Sequence, residues 1–362
     1  MYKLALIGCG RISYKHVEAA IHNNEDVALI ACCDTMIDKA KERATEYIKA
    51  LPDTRVNVYE NYLKMLEIEK PDICAIATDS GLHCAITVEC LKAGAHVLCE
   101  KPMALSTDDT YSMIQTAERY KKKLGVCFQN RFNPPVMSLN NAIDKGRLGR
   151  ILHGAIQIRW NRDDAYYKEA DWRGTWLHDG GTLMNQCSHG IDLLQWIMGD
   201  VVRVQATTRR FLRPIEAEDF GAAIVEFSNG SVGIIEGSVC VYPKNLNETL
   251  SIFGEKGTVV IGGMAVNKIE TWRFNDSDKY GEDEKSIIQN NNSEIKNVYG
   301  DGHTALYADF ITAVKNNKEP LINGKEGSKA VELILAIYKS HKERKGVELP
   351  VKFSTRDMVG TF

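Results

Sequence analysis

The chain has 362 residues, which is enough for about two domains of ordinary size. Its composition, 44% hydrophobic and 26% charged, is typical of a globular protein and argues against global disorder. The formal net charge of −3 lacks the basic excess that favours nucleic acid, and no apolar run reaches the roughly 18 residues of a membrane span. We therefore expect neither nucleic acid nor a membrane as a partner.

Short apolar runs alternate with helical patterns in the first third of the chain. Strands are predicted at 4–7, 27–33, 73–77 and 95–99, and helices at 13–22, 37–50, 83–93 and 107–123. Strands that alternate with helices predict a parallel sheet covered on both faces and joined by right-handed crossovers. The sequence therefore predicts an α/β domain over residues 1–125.

Longer strand patterns follow in the second domain, which we place at residues 126–362. Strands are predicted at 151–160, 201–211, 220–227, 231–241 and 248–254, and helices near 134–145, 183–198, 304–315 and 326–343. Ser228-Asn229-Gly230 between two apolar runs is a strong hairpin signal. The polar stretch 275–297 is assigned to a loop or an edge hairpin. This pattern predicts an α+β domain with a large, open, mostly antiparallel sheet whose free face could bury against a second subunit.

The ten cysteines form no CxxC pair, and several of them lie inside apolar runs, as Cys74, Cys99 and Cys127 do. A reduced thiol in such a run behaves as a small hydrophobic side chain. The first apolar run is too short for a secretion signal. We expect a cytoplasmic protein with free thiols, without a disulfide framework or a zinc ribbon.

The first strand leads into the glycine-rich fingerprint Gly8-Cys9-Gly10-Arg11-Ile12-Ser13. The first glycine allows the tight turn, and the second lets the backbone approach a pyrophosphate at the helix N-terminus. Ser13 replaces the usual third glycine or alanine. The second strand ends at Asp34, where an acidic residue binds the adenosine ribose hydroxyls and repels a 2′-phosphate. Because Thr35-Met36-Ile37, and no arginine, follows Asp34 immediately, the fingerprint predicts a Rossmann domain that binds NAD rather than NADP.

Three further segments make a family resemblance specific. They are Ala77-Thr78-Asp79-Ser80-Gly81-Leu82-His83, Cys99-Glu100-Lys101-Pro102, and the run from Gly180-Gly181 to His189-Gly190-Ile191-Asp192. Together with the fingerprint they resemble the Gfo/Idh/MocA oxidoreductase family over essentially the whole chain. The resemblance implies a nicotinamide lying between two domains, Lys101 beside the reacting carbon, and dimers or tetramers packed through the open sheet. The residues implied for cofactor binding are Gly8, Gly10, Arg11, Ile12, Asp34, Thr78, Asp79, His83, Glu100, Lys101, Asn130, Trp172 and Arg173.

Within this family, the segments 129–133, 172–176 and 184–186 look closest to nucleotide-sugar 3-dehydrogenases of the UDP-N-acetylglucosaminuronate type. The substrate-binding residues implied by the resemblance are Lys101, Arg131, Arg173, Asn185, Gln186, His189 and Asp192. Arginine forks suit a carboxylate or phosphate, and Arg159 and Arg162 are further candidates. Aromatic residues at 160–176 could stack on a sugar or uracil ring, but we assign Trp160 and Trp176 to the core.

Oxidation of a secondary alcohol needs a base, a hydride acceptor and a group that stabilises the developing oxyanion. NAD supplies the acceptor. Lys101 could donate a hydrogen bond or take the proton, and imidazole of His189 suits proton transfer, so which of the two is the base stays open. Asn185, His189 and Asp192 follow a helical spacing on one face. We predict Lys101, His189 and Asn185 as the catalytic set, with Asn185 positioning the substrate and no metal involved.

Two other functions compete with a nucleotide-sugar dehydrogenase. A dehydrogenase of a free or phosphorylated sugar or of inositol would use the same residues. A regulator that senses NAD without catalysis is the alternative from another class. The presence of both Lys101 and His189 counts against the regulator.

Overall fold

The computed structural model describes residues 1–276, 286–288 and 302–362. Contacts within the chain divide it into two compact units. The first contains Met1–Phe128 and His303–Ser328, and the second contains Gln129–Gly302 and Lys329–Phe362. A single cut near residue 125 therefore differs from the structure, because the chain returns to the first unit near its end.

The first unit is built on a parallel sheet of six strands in the order β3-β2-β1-β4-β5-β6. Its strands are β1 Tyr2–Ile7, β2 Val27–Cys33, β3 Asn57–Tyr59, β4 Ile73–Ile76, β5 His96–Cys99 and β6 Leu124–Val126. Its helices are α1 Ser13–His22, α2 Ile37–Ala50, α3 Tyr62–Glu69, α4 His83–Lys92 and α5 Thr107–Tyr120. The predicted α/β domain with a parallel sheet is confirmed.

Residues 303–328 belong to the first unit because they pack against its last strand. The amide of Val126 donates to Ile322 O at 3.0 Å, and Gly125 forms an isolated bridge with Asn323. A side chain at Gly125 would meet the Phe310 ring at 2.7 Å, so glycine here lets that ring lie on the strand. Two helices lie in the last part of the chain: α10 Gly302–Lys315 and α11 Gly324–Glu343. The composition of residues 303–328 does not indicate that they pack with the first unit.

The second unit contains an eight-stranded sheet in the order β13-β12-β11-β7-β10-β9-β8-β14. Every neighbouring pair is antiparallel except β7 and β10, which are parallel. The strands are β7 Ile151–Arg159, β8 Val201–Arg209, β9 Phe220–Phe227, β10 Val232–Ser238, β11 Asn247–Gly254, β12 Gly257–Gly262, β13 Lys268–Phe274 and β14 Val347–Glu348. The remaining helices are α6 Pro134–Asp144, α7 Asp164–Lys168, α8 Thr182–Asn185 and α9 Ser188–Met198. The predicted mostly antiparallel sheet is confirmed.

One face of this sheet is covered by α8 and α9. A side chain at Gly190 would meet Ile156 at 2.8 Å, and one at Gly221 would meet Leu183 at 2.6 Å, so glycines allow both helices to pack closely on the strands. The other face exposes apolar side chains. Ile224 and Ile234 are cross-strand partners there, and they are 56% and 51% exposed.

The predicted helix 183–198 is interrupted between α8 and α9. The carbonyl of Thr182 accepts from the amides of both Gln186 and Cys187, at 2.8 and 3.1 Å, so one extra residue is accommodated in the turn. Most of the predicted polar loop at 275–297 lies outside the described residues. Among the described helices, none is long and apolar enough to cross a membrane.

Candidate functional site

The glycine-rich loop joins β1 to α1 at the point where the order of the sheet reverses. Gly8 has φ +89°, and a Cβ there would lie 2.5 Å from the carbonyl carbon of Ala77, so this position requires glycine. A Cβ on Gly10 would meet nothing within 4 Å, which leaves its backbone open to a ligand. Ser13 is fully buried, and its hydroxyl donates to Gly10 O at 2.6 Å. The departure from glycine at Ser13 therefore supports the loop.

Asp34 at the end of β2 lies against this loop. Its Oδ2 accepts from the amide of Cys9 at 2.8 Å, and its Oδ1 accepts from the amide of Met36 at 2.8 Å. Each carboxylate oxygen can accept a second hydrogen bond, so Asp34 retains capacity for ribose hydroxyls. The open backbone at Gly10, the N-terminus of α1 and this carboxylate fit a dinucleotide. Arg11 and Ile12 lie on the same loop.

His83, predicted to bind the cofactor, is buried between two backbone carbonyl groups. The ring is 1% exposed, and its Nδ1 and Nε2 lie 2.8 Å from Pro102 O and 3.2 Å from Thr78 O. Burial lowers the pKa of His83. His83 therefore joins the loop after β4 to the loop that carries Lys101. Thr78 and Asp79 lie beside it with partly exposed side chains.

Glu100, next to Lys101, lies at the centre of a buried hydrogen-bonded network. Its Oε1 is 3.1 Å from Nε2 of His16 and 3.2 Å from Nε2 of His303, and Nδ1 of His16 is 2.8 Å from the hydroxyl of Tyr307. Because a carboxylate only accepts, the Nε2 atoms of both histidines carry a hydrogen and donate to Glu100. The network links the cofactor helix α1, the end of β5 and the returning helix α10.

The two histidines set the charge of Glu100. Burial opposes its ionisation, but hydrogen bonds and charge from His16 and His303 outweigh burial and hold the pKa of Glu100 well below its usual range. The amide of Lys101 also donates to Glu100 Oε2 at 3.2 Å, and the Lys101–Pro102 peptide is cis. Ligand atoms of His16, Glu100 and Cys127 lie within 4.8 Å of one another. Since the carboxylate already accepts from two histidines, we interpret the group as a hydrogen-bonded network.

In the second unit, α8 and the start of α9 carry Asn185, Gln186 and His189. The amide of Asn185 donates to Asp179, and the amide nitrogen of Gln186 donates to Asn185 Oδ1 at 3.1 Å. The Nε2 atoms of His189 and Gln129 are 3.4 Å apart. Asn185, Gln186 and His189 are half-buried, whereas Asp179 and Gln129, which contact Asn185 and His189, are buried. Asn185 at the end of α8 is therefore held by Asp179, and His189 in the first turn of α9 lies against Gln129.

Arg131 and Asp192, both predicted to bind substrate, form a buried ion pair with each other. Nε and Nη2 of Arg131 donate to the two oxygens of Asp192 at 2.8 and 2.7 Å, and both side chains are 2% exposed. The guanidinium also lies 5.0 Å from the Trp196 ring. The guanidinium fork that was expected to bind a substrate carboxylate is used by Asp192. The pair instead fixes the turn of residues 129–132 to α9.

Arg162 and Arg173 place two positive charges beside the same aromatic ring. Both guanidinium groups contact the Tyr166 ring, at 5.3 and 4.0 Å from its centre. Nε of Arg162 donates to Gln186 Oε1 at 2.8 Å, and Nη2 of Arg173 pairs with Glu169 at 3.1 Å. Two cations therefore lie near the residues that follow Asn185.

The other predicted residues are distributed as follows. Trp172 lies 5.3 Å from the Arg173 guanidinium, and Asn130 is buried in the turn before α6. Trp160 and Trp176 are buried, as expected for core residues. Arg159 pairs with Glu236 at 2.7 Å on adjacent strands of the sheet, so it is not part of the group around Asn185.

Sequence reasoning missed the residues that support the site. His16 falls on the buried face of α1 with Ser13 and Val17, at a helical spacing that predicts burial. That spacing, three residues past the fingerprint, was the signal that could have revealed His16. For His303 and Glu218 the sequence offers no such pattern, because their partners come from distant segments.

Comparisons with known proteins agree with these features. The model of the oxidoreductase family's NAD-binding Rossmann fold matches residues 2–128, and that of the family's C-terminal alpha/beta domain matches residues 140–349. The WlbA dehydrogenase of Bordetella pertussis, solved with NADH and UDP-GlcNAcA, is 36% identical, with a TM-score of 0.86 over 97% of this chain and 98% of its own. The Chromobacterium violaceum WlbA dehydrogenase, solved with the same two ligands, is 35% identical, with a TM-score of 0.86 over 97% of both chains.

A curated relative is more distant. The myo-inositol 2-dehydrogenase of Thermotoga maritima is 24% identical over 96% of this chain and 98% of its own. The two family models together span most of the chain. The chain belongs to the Gfo/Idh/MocA oxidoreductase family and is an oxidoreductase with an NAD-binding Rossmann domain.

Proposed function

We propose that this member of the Gfo/Idh/MocA family oxidises a secondary hydroxyl, at C3, of a UDP-N-acetylhexosamine or its uronate and passes the hydride to NAD. The observation that carries the proposal is the 36% identity over nearly full length to a dehydrogenase solved with NADH and UDP-GlcNAcA. The myo-inositol dehydrogenase is 24% identical over a similar length. The higher identity favours the nucleotide sugar.

The charges around Asn185 support an acidic substrate. Arg162 and Arg173 both lie against Tyr166, and Gln186 connects Arg162 to Asn185. A planar guanidinium matches a carboxylate in geometry and charge. We therefore favour the uronate over the neutral sugar, with Arg173 and Gln186 on the substrate side.

The proposed chemistry divides among three side chains. When bound, NAD supplies the nicotinamide that accepts the hydride. Lys101 and His189 share the handling of the hydroxyl proton, and Lys101 also stabilises the developing oxyanion by donating a hydrogen bond. Asn185 positions the sugar. The network around Glu100 holds the backbone from which Lys101 projects.

The test is turnover by purified protein with NAD and a panel of UDP-sugars, hexose phosphates and inositols. NADH is followed by absorbance, and product is followed by mass spectrometry with 2-oxoglutarate present in case NADH is reoxidised in place. We expect turnover of a UDP-N-acetylhexosamine or its uronate, lost in Lys101→Ala and His189→Ala. Lys92→Ala and His22→Ala, at helix ends of the first unit, are matched controls that should keep full activity.

A dehydrogenase of a free or phosphorylated sugar or inositol is the second candidate, and the similarity to the inositol dehydrogenase favours it. Turnover of these polyols alone would keep the chemistry and reject the nucleotide sugar. Tight NAD binding without turnover of any compound would support the NAD-sensing regulator, against which Lys101 and His189 count.

We also propose that a second copy of the chain covers the open face of the eight-stranded sheet, giving a dimer or a tetramer. Ile224, Ile234 and Val232 are exposed on adjacent strands β9 and β10, 56%, 51% and 39% respectively. Contiguous exposed apolar residues on one face are typical of an interaction surface. Light scattering of the protein and of Ile234→Lys tests the proposal. A protein that is monomeric at micromolar concentration would reject it.

A further inference from the structure

The segment that carries Asn185 rests on a buried glutamate. Glu218 precedes β9 and is fully buried. Its Oε1 accepts from the amide of Leu183, in the first turn of α8, at 2.8 Å. Its Oε2 faces Gly181, where any Cβ would overlap the carboxyl group, and this oxygen has no hydrogen-bond partner in the described part of the chain. Glu218 is therefore in direct contact with both ends of the turn that leads into α8.

The hydroxyl of Tyr338 on α11 joins this carboxyl group to the same turn. The phenol oxygen is 2.8 Å from Glu218 Oε1, 2.8 Å from the carbonyl oxygen of Gly180 and 3.3 Å from the amide nitrogen of Met184. The Met184 amide donates to the phenol. The phenol has one hydrogen for two oxygens that would both accept it.

The number of hydrogens available to these oxygens favours a protonated Glu218. If Glu218 were ionised, the Tyr338 hydroxyl could donate to Glu218 Oε1 or to Gly180 O but not to both, so one pair of oxygens would lie 2.8 Å apart without a hydrogen between them. Oε2 would also carry negative charge in a buried place with no donor. A protonated carboxyl removes both problems. Its O–H donates to the phenol oxygen of Tyr338, and Tyr338 donates to the carbonyl of Gly180.

The surrounding charges point the same way. Asp179, on the other side of the turn, accepts from the backbone amide of Gly174 and from the side-chain amide of Asn185. Its charge disfavours a second negative charge at Glu218. Tyr167 and Tyr338 are the nearby phenols, and burial raises the pKa of both. Both therefore stay neutral and add no charge beside Glu218. Burial raises the pKa of Glu218 to about 8, against smaller opposing effects of hydrogen bonds from Leu183, from Tyr338 and from its own backbone amide.

We propose that Glu218 is a positioning residue that works as a neutral carboxylic acid: with Tyr338 it holds the turn at Gly180 and Gly181 and so fixes Asn185. On ionisation the proton leaves to solvent, the bond from Glu218 to Tyr338 loses its hydrogen, and the turn loosens. The catalytic consequence rests on the proposed function, in which Asn185 positions the substrate. The protonation state of Glu218 does not depend on that function.

The first measurement needs no substrate. Infrared difference spectra between the wild type and Glu218→Gln isolate the carbonyl band of a protonated carboxylic acid at residue 218. We expect this band at pH 7 and its loss as the pH rises past about 8. Glu255→Gln, in the exposed turn between β11 and β12, should leave the band in place. Absence of the band at pH 7 in the wild type overturns the proposal.

The second measurement is the pH profile of kcat and of kcat/KM on whichever sugar the protein turns over. Glutamine cannot ionise, but it also lacks the O–H that reaches Tyr338. We therefore expect Glu218→Gln to lower the rate by a factor that does not change with pH, and to remove a decline of about fivefold between pH 8 and pH 9 that the wild type shows. The decline should persist in Glu255→Gln.

These outcomes separate the two proposals. A band at pH 7 with turnover of polyols alone keeps the role of Glu218 and rejects the nucleotide sugar. An alkaline decline that is the same in Glu218→Gln and in the wild type overturns the positioning role, whichever substrate is used. A Glu218→Gln protein with the wild-type circular dichroism spectrum ensures that the comparison is between folded proteins.

Discussion

The buried pair of Arg131 and Asp192 offers a direct test of how the second unit holds its site. In Asp192→Asn, the shape of the side chain is kept and its charge is removed. The guanidinium of Arg131, 2% exposed, then loses two charge-assisted hydrogen bonds of 2.8 and 2.7 Å. Removing one partner of a buried pair costs about 3–5 kcal/mol, because the other charge stays buried. We expect a loss of about 3 kcal/mol, since the amide oxygen still accepts one bond.

Tryptophan fluorescence in urea measures this loss. All five tryptophans lie in the second unit, so the fluorescence transition reports on that unit. Glu226→Gln is the matched control, because its pair with Arg203 also has a 2.8 Å contact but is 47% and 43% exposed. An exposed pair contributes about 0–1 kcal/mol. Protein concentration is held constant, since association would shift the midpoint.

The comparison has a clear opposite outcome. If Asp192→Asn and Glu226→Gln lower the free energy of unfolding by the same amount, burial does not strengthen the pair of Arg131 and Asp192. The double variant Arg131→Met with Asp192→Leu completes the test. Because it leaves no buried charge, it should recover part of the loss seen in Asp192→Asn.

Three further predictions follow from the structure. Lys101→Ala should lower kcat by about 10²- to 10⁴-fold with an unchanged circular dichroism spectrum, and activity within tenfold of wild type would contradict its role. Gly181→Ala should lower the melting temperature more than Gly230→Ala: both positions have positive φ, but only at Gly181 does a Cβ overlap Glu218. Glu100→Gln should lower the melting temperature at pH 7. Because the folded pKa of Glu100 is lowered, its stabilisation is present above about pH 4.5 and is lost on acidification, so the difference from wild type should narrow as the pH falls below that value; a constant difference would contradict this.

Local patterns were sufficient for much of the fold. The predicted strand at 27–33 and helix at 37–50 coincide with Val27–Cys33 and Ile37–Ala50, because the strand is an unbroken apolar run between two aspartates and the helix repeats its apolar residues at a helical spacing. β3, with three partly buried residues, is too short to show a period. The interruption after Asn185 was missed because both flanking segments keep a helical spacing.

The return of the chain to the first unit could not be predicted in the same way. It depends on Phe310 fitting over Gly125 and on the bond between Val126 and Ile322, and these contacts join residues far apart in the sequence. The role of Arg131 was also beyond local patterns. A sequence shows an arginine in a polar segment, whereas its burial and its pairing with Asp192 arise only when α9 packs beside the turn.

Two buried glutamates show how distant partners decide the state of a group. Glu100 accepts from the rings of His16 and His303, and these donors hold it ionised despite complete burial. Glu218 is as deeply buried, but its hydrogen-bond partners are uncharged, a phenol and backbone amides, and Asp179 is its charged neighbour. Burial therefore outweighs the hydrogen bonds, and the carboxyl keeps its proton. Environments that separate the pKa values of two carboxyl groups in this way leave one group charged at all working pH values and let the other titrate near working pH. The charge beside Lys101 is therefore insensitive to alkaline conditions, whereas the support beneath Asn185 is the part of the site where an alkaline limit on activity should arise.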